Sequence, residues 1–240
     1  MMERILLLGG TREARELAGW LATRDDITAT LSLAGVTSAP PDPGIPMRIG
    51  GFGGAEGLAA YLEAQSITTL IDATHPFAST ISANAARATA MTGSRRLVLW
   101  RPSWQAGSED RWQEFGAWDD LISAIPDGAL VFAAAGQDGM RALGQQTRFD
   151  ILARALKKPE GLAPHIGFLK GLPGQSADAE EALFRQERIT HLVAKNAGGT
   201  SSEAKLIAAR RLGLPVLLLA RPAPPSGDLF PDVEAIIAAL

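Results

Sequence analysis

The chain has no cysteine, so neither a disulfide framework nor a cysteine-based zinc site is open to it, and a reducing compartment suits it. Its three histidines, His75, His165 and His191, have no partners at metal-ligand spacing, and no metal site is expected. No apolar stretch approaches the roughly 20 residues of a membrane span. The start, Met1-Met2-Glu3-Arg4 before Ile5-Leu6-Leu7-Leu8, has too short an apolar run for a signal peptide and reads as a first strand, which points to a cytoplasmic protein without membrane contact. With a net charge of −3 and no basic tail or lysine run, binding to nucleic acid by bulk electrostatics is not expected either.

Several enzyme signatures are missing as well. The single tyrosine, Tyr61, is followed four residues on by Gln65, which excludes a Tyr-x-x-x-Lys catalytic pair. There is no G-x-S-x-G elbow, no Walker loop and no G-x-G-x-x-G spacing after the first strand. Hydrolase and phosphoryl-transfer readings lose most of their support.

What is present is a pattern stated twice. Thr74-His75-Pro76-Phe77 and Lys195-Asn196-Ala197-Gly198-Gly199-Thr200 each close an apolar run and open a helical segment, and each is followed by another apolar run ending in Arg-Pro, at Arg101-Pro102 and Arg221-Pro222. His75 and Lys195 lie 120 residues apart, as do Arg101 and Arg221, which is half of the 240-residue chain. The economical reading is α/β: two Rossmann-like parallel-sheet domains related by pseudo-duplication, with a ligand cleft between them. The boundaries expected are 1–104 and 128–240, joined by a tryptophan-bearing crossover at 105–127, with the last helix, 231–240, packing on either domain.

Short continuous apolar runs supply the strands, at 4–8, 28–34, 69–73, 97–100, 130–134, 151–155, 166–170, 191–194 and 216–219, as expected of strands covered on both faces. Helical spacing places helices at 12–24, 55–65, 79–92, 118–124, 177–188 and 202–212. In such folds, polar residues at the carboxyl ends of the strands face the ligand. Arg12, Arg101, Arg154, Lys170, Lys195 and Arg221 all fall at or near strand ends, which suits a polyanion.

Three turns carry the chemistry. Gly9-Gly10-Thr11-Arg12 brings backbone amides to a helix start, where a phosphate is favoured, although a plain tight turn with Thr11 as cap explains the residues equally well. Gly50-Gly51-Phe52-Gly53-Gly54 is open to the same two readings, but four glycines in five residues cost more entropy than a mere connection requires. At the strand-to-helix position after residue 73, His75 either orients a phosphate or donates a proton, against the commoner structural role of a lone histidine. Lys195, Asn196, Gly198, Gly199, Thr200 and Ser202 make a cradle for carboxylates or phosphates; Ser201 or Ser202 can equally be a helix cap, which leaves Lys195, a cation in need of an anion, unexplained.

The strings Leu8-Gly9-Gly10-Thr11, Ser32-Leu33-Ala34-Gly35, Gly50-Gly51-Phe52-Gly53-Gly54, Asp72-Ala73-Thr74-His75-Pro76-Phe77-Ala78, Arg101-Pro102 with Trp104, Lys195-Asn196 with Gly198-Gly199, and Lys205 with Arg221-Pro222 together resemble the precorrin-6A reductases of cobalamin biosynthesis. The resemblance implies NADPH-dependent reduction of one double bond of a tetrapyrrole macrocycle to give precorrin-6B. It assigns Gly9, Gly10, Thr11, Arg12, Gly51, Phe52, Gly53, Thr74, His75, Pro76 and Phe77 to cofactor. Arg101, Arg154, Lys170, Lys195, Asn196, Gly198, Gly199, Thr200, Ser202 and Arg221 go to substrate, and the reverse allocation of the two sets stays open. His75 and Lys195 are candidate proton donors, beside solvent and the substrate's own nitrogens. A monomer or weak homo-oligomer is expected. Val36 stands where relatives tend to carry arginine, and Gly171-Leu172-Pro173-Gly174 where they tend to show Gly-Pro-Phe. Two rival readings are a non-catalytic two-lobed tetrapyrrole or polyanion binder and another NAD(P)-dependent oxidoreductase.

Overall fold

A computed structural model describes residues 2–35, 42–155, 162–171, 176–200 and 202–240. Val36, residues 172–174 and Ser201 lie outside the described residues. Contacts divide the chain into two compact units, Met1–Pro102 with Pro222–Leu240, and Ser103–Arg221.

The first unit begins β1 (Glu3–Leu8), α1 (Arg12–Leu21), β2 (Ile27–Leu33), β3 (Met47–Ile49), α2 (Ala55–Ala64), β4 (Thr69–Asp72), α3 (Ser79–Thr92) and β5 (Arg95–Leu99). The second unit comprises β6 (Arg111–Phe115), α4 (Trp118–Ser123), β7 (Leu130–Ala134), α5 (Gly136–Leu143), β8 (Asp150–Ala155), β9 (Ile166–Lys170), α6 (Ala177–Gln186), β10 (His191–Lys195), α7 (Ala204–Leu212) and β11 (Pro215–Leu219). The chain then returns to the first unit with β12 (Asp228–Phe230) and α8 (Val233–Ala239).

All pairings are parallel, in the orders β12-β5-β4-β1-β2-β3 and β6-β11-β10-β7-β8-β9. The two sheets bear out the expected α/β class with two Rossmann-like units. β11 begins and ends 120 residues after β5, the period seen in the sequence. β6 follows β5 in the chain but pairs with β11, whereas β12 follows β11 but pairs with β5, so each half completes the other's sheet.

Alternation along a strand explains the continuous apolar runs. Ile5 and Leu7 enter one core with Leu17 and Leu21 of α1 and Ile236 of α8. Leu6 and Leu8 point the other way, into a core with Leu58 and Leu62 of α2 and Ala85 and Ala88 of α3. Each such leucine contributes about 1.5–3 kcal/mol when fully buried. In the second unit Phe132, Leu192, Ala194 and Leu218 pack with Phe184 of α6 and Leu206 of α7.

The division differs from the expected one. Residues 105–127 contain β6 and α4 and belong to the second unit instead of forming a crossover; the last helix, expected on either domain, packs in the first. β6 lacks the sequence signature of a covered strand for a physical reason: Arg111-Trp112-Gln113-Glu114-Phe115 forms a sheet-edge strand that is mostly exposed and has no apolar run. α5, where the sequence predicts a turn at 135–137, and β12 likewise lie outside the expected elements. Among the described residues no helix is long and apolar enough to cross a membrane, and no group of three His, Cys, Asp or Glu side chains could hold a metal ion.

Gly57 marks where α2 meets the glycine-rich turn: a Cβ there would lie 1.8 Å from the Phe52 carbonyl oxygen. Gly57→Ala should therefore destabilise the protein by about 3 kcal/mol or more, since the clash is with backbone. Gly19→Ala, in α1 with no atom within 4 Å of the added carbon, should stabilise it by about 0.5–1 kcal/mol. Urea unfolding of the two variants checks the opposite signs.

Candidate functional site

In the first unit the turn after β1 is built by Gly9 and Gly10. Gly9 donates its N–H to the Ser32 carbonyl at 2.9 Å, and a Cβ on it would meet Leu31 Cδ1 at 2.6 Å. Gly10 has φ +119° and faces open space. Thr11 caps α1 by accepting from the Ala14 N–H at 3.1 Å and donates to the Ala73 carbonyl at 2.8 Å. Its hydroxyl, expected at the cofactor, is thus buried and ties α1 to the end of β4. Arg12 is exposed, and among the described residues its side chain makes no hydrogen bond or ion pair.

The turn after β3 is shaped by Arg48, a residue that no motif or spacing in the sequence marks out. It donates to Ser32 Oγ at 2.7 Å, to the Gly50 carbonyl at 3.0 Å and to the Gly51 carbonyl at 3.1 Å, and stacks 3.8 Å from the Phe52 ring centroid. Gly51, Phe52 and Gly53 then line a cavity of about 330 Å³ together with Phe77, Ala78 and Ser79 at the start of α3.

The turn after β4 rests on Asp72, which is 2 % exposed. Its carboxylate accepts from Arg96 at 2.9 Å, Ser82 Oγ at 2.5 Å and Thr74 Oγ1 at 2.7 Å. The buried Arg96 also donates to the Ser226 and Ser82 carbonyls. Above this pair His75 is exposed, and its Nδ1 accepts the Phe77 N–H at 3.2 Å, which places the proton of the neutral ring on Nε2. Thr74, His75 and Pro76 border a second cavity of about 350 Å³ with Trp100, Pro222 and Ser226.

In the second unit the segment after β10 is held from within. Asn196 is 3 % exposed. Its Oδ1 accepts the Trp104 N–H at 2.9 Å, while its Nδ2 donates to the Trp104 carbonyl at 3.1 Å and to Glu114. The Trp104 indole N–H donates to the Gly199 carbonyl at 2.8 Å, and Arg221 Nε to the Asn196 carbonyl at 3.2 Å. Gly198 and Gly199 take φ of 66° and 74°, the left-handed region that glycine reaches without strain. Among the described residues Ser202 does not cap α7; Glu203 occupies the cap position without a side-chain capping bond.

Lys195 pairs with Asp138 at 2.6 Å, and Asp138 is 59 % exposed at its side chain. Burial raises the Asp138 pKa, but the bond to Lys195 and its charge outweigh that and hold it below the ordinary carboxylate value. Lys195 thus has an anion, and that anion faces solvent.

Two of the expected substrate cations have their side chains turned inward and largely covered. Arg101 is buried in an ion pair with Glu13 at 2.8 Å, and Arg154 in one with Glu180 at 2.6 Å while lying 4.9 Å from the Phe132 ring. Both sit at strand ends, as the sequence indicates, but their partners come from α1 and α6, 88 residues upstream in one case and 26 downstream in the other, beyond the reach of spacing arguments. Asn196 is likewise an internal tie. Lys170 at the end of β9 and Thr200 are exposed, and Ser202 is half-buried.

Parallel sheets with glycine turns and cations at their carboxyl ends define a Rossmann-like α/β protein of the kind that binds dinucleotides. The family model described as Precorrin-6x reductase CbiJ/CobK matches residues 4–240, and the chain belongs to that family. It is 43% identical to a precorrin-6A reductase of Rhodobacter capsulatus over 98% of this chain and 95% of that protein. It is 41% identical to one of Rhodococcus erythropolis, over 99% and 97%. A solved structure of a CobK precorrin-6A reductase superimposes with a TM-score of 0.93 at 42% identity, covering 100% of this chain and 96% of that one.

Arg96→Met should cost about 3–5 kcal/mol, because it leaves the Asp72 carboxylate buried without its cation. Arg12→Ala, exposed and unpaired, should stay within about 0.5 kcal/mol of the parent. Chemical denaturation of both variants checks the contrast.

Proposed function

We infer that the chain is a precorrin-6A reductase of cobalamin biosynthesis, an oxidoreductase that reduces one carbon–carbon double bond of the macrocycle to give precorrin-6B, and we propose NADPH as its cofactor. The match over residues 4–240 carries the activity. Relatives named for metal-free precorrin-6A are 40–43% identical, those named for cobalt-precorrin-6A 25–28%, which favours the metal-free substrate. A cytoplasmic monomer or weak homo-oligomer is the proposed setting.

The first unit's residues fit a dinucleotide. Gly10 has open space where a side chain would stand, so a phosphate can approach the backbone amides at the start of α1. Arg12, a cation at the positive end of that helix dipole, is poorly placed until an anion joins it. Gly51, Phe52, Gly53 and Phe77 offer an apolar cavity for a flat ring. Thr74, His75 and Pro76 border the cavity beside β5. NADPH, when bound, supplies a hydride. The protein binds, orients and excludes water; with Nδ1 accepting from Phe77, His75 presents its Nε2–H as a hydrogen-bond donor to a ligand oxygen, and the proton that completes the reduction comes from solvent.

The second unit's residues fit a polycarboxylate. Lys195 is paired with an exposed aspartate, so a substrate carboxylate takes over that ion pair at little cost in desolvation. Lys170, Thr200 and Ser202 add polar groups at the same ends of the strands. Gly198 and Gly199 let the backbone approach.

Mixing the protein with NADPH and precorrin-6A should bleach the near-ultraviolet absorbance of NADPH; macrocycle binding without oxidation would overturn the assignment in favour of a carrier. Lys195→Ala should raise KM for precorrin-6A roughly tenfold, about 1.4 kcal/mol, with KM for NADPH unchanged. Steady-state kinetics in both substrates read the split.

A further inference from the structure

Lys205 is 5 % exposed in the first turn of α7. Three forces oppose its charge there. Burial removes its hydration, Arg154 repels it, and the helix dipole presents its positive end. Against them stand Glu180, the Ser202 carbonyl that accepts from Nζ, and the face of the Trp104 ring 4.7 Å away. Desolvation prevails, followed by Arg154, and the pKa falls to about 7 although Glu180 pulls the other way. An apolar side chain of similar volume would commonly serve stability as well or better. A buried amine in such a place calls for a reason other than packing.

That reason lies in what its partners hold. Trp104 bonds both Asn196 and Gly199, and Lys205 adds a bond at Ser202 while resting on the Trp104 ring. The lysine and the tryptophan thereby fasten the segment after β10 at three points. We propose that Lys205 is a positioning residue: its ammonium, clamped between the Trp104 ring and the Ser202 carbonyl, keeps residues 195–200 and Ser202 in the conformation that presents Lys195, and loss of its charge releases them. The consequence for turnover rests on the reading that this segment takes the substrate's carboxylates. The charged groups acting on Lys205 are Arg154 of β8 and Glu180 of α6, already paired with each other at 2.6 Å, so its protonation answers to pH rather than to a change in their pairing.

The test follows the Trp104 indole N–H by nitrogen-15 correlation spectra across a pH range centred on about 7, with Trp104→Phe assigning the resonance. In the wild type that resonance should titrate; in Lys205→Met, and in Lys205→Gln should the first variant fold poorly, it should not. KM for precorrin-6A should rise severalfold in the wild type as pH climbs through that value, with kcat little changed, whereas Lys205→Met should show a raised KM that no longer varies there. Lys205→Arg, which keeps its charge, should hold the low KM to higher pH. An indole resonance that titrates identically in wild type and Lys205→Met, or KM profiles that superimpose, overturns the proposal. Should Lys195→Ala leave KM unchanged, the substrate reading of the segment fails instead, and the indole titration still decides the role of Lys205. Stability gives a further check with a definite sign. Because the folded pKa lies below the ordinary lysine value of 10.5, the unfolded chain holds the extra proton between the two values, and wild-type stability rises with pH across that window. The melting temperature of Lys205→Met should exceed that of the wild type most at or below pH 7, the gap shrinking toward pH 10.5.

Discussion

Parallel strands stop pairing at their carboxyl ends, and the chain that leaves them must be fixed by something other than the sheet. In both units that task falls to a buried polar side chain bonded to backbone and to a second side chain: Asp72 with Arg96 and Ser82 in the first, Asn196 with Trp104 and Glu114 in the second. Removing one member strands the other in a low-dielectric interior, which costs more than the pair gains over an apolar substitute. The turns that carry His75 and Lys195 are therefore rigid at their base and polar at their tips. The same constraint explains the use of cations. Arg96, Arg101 and Arg154 serve the interior, each against a carboxylate, while Arg12, Lys170 and the Lys195–Asp138 pair remain accessible.

Much of this is legible in the sequence because a doubly covered strand leaves a continuous apolar run. Helix α3 and strands β7 and β9 have the bounds that periodicity predicts. The failures have a common physical basis. β6 is an edge strand, so its polar residues break the run; α5 begins at Gly136 and contains Gly139, residues that argue against a helix when only propensity is considered. Gly139 is there for packing, since a Cβ would lie 2.6 Å from Trp118 Cη2. The turns are legible as strand-to-helix connections, but the roles of Thr11, Arg101, Arg154 and Asn196 depend on partners 26 to 92 residues away. Spacing reports which element a residue belongs to, and says nothing of which distant carboxylate has claimed it.

The two halves share a topology but have parted in chemistry, and the difference bears on which ligand each takes. After β1 the chain has Gly10 at φ +119° with open space beside it, then a helix capped by Thr11. After β7, the corresponding central strand, Ala135 precedes α5 without a side-chain cap, and a Cβ on Gly136 would already lie 3.6 Å from Lys195 Nζ and 3.5 Å from Asp138. A helix start open to a phosphate survives in the first half; in the second its place is taken by a lysine and its counter-ion. A dinucleotide binds chiefly through backbone amides that cannot be neutralised by a neighbour, whereas a macrocycle fringed with carboxylates needs mobile cations that can trade one anion for another. That physical distinction supports the proposed allocation of cofactor to the first unit and precorrin to the second, and with it the proposed role of Lys205: a cation that exchanges partners at the surface needs a fixed base under it.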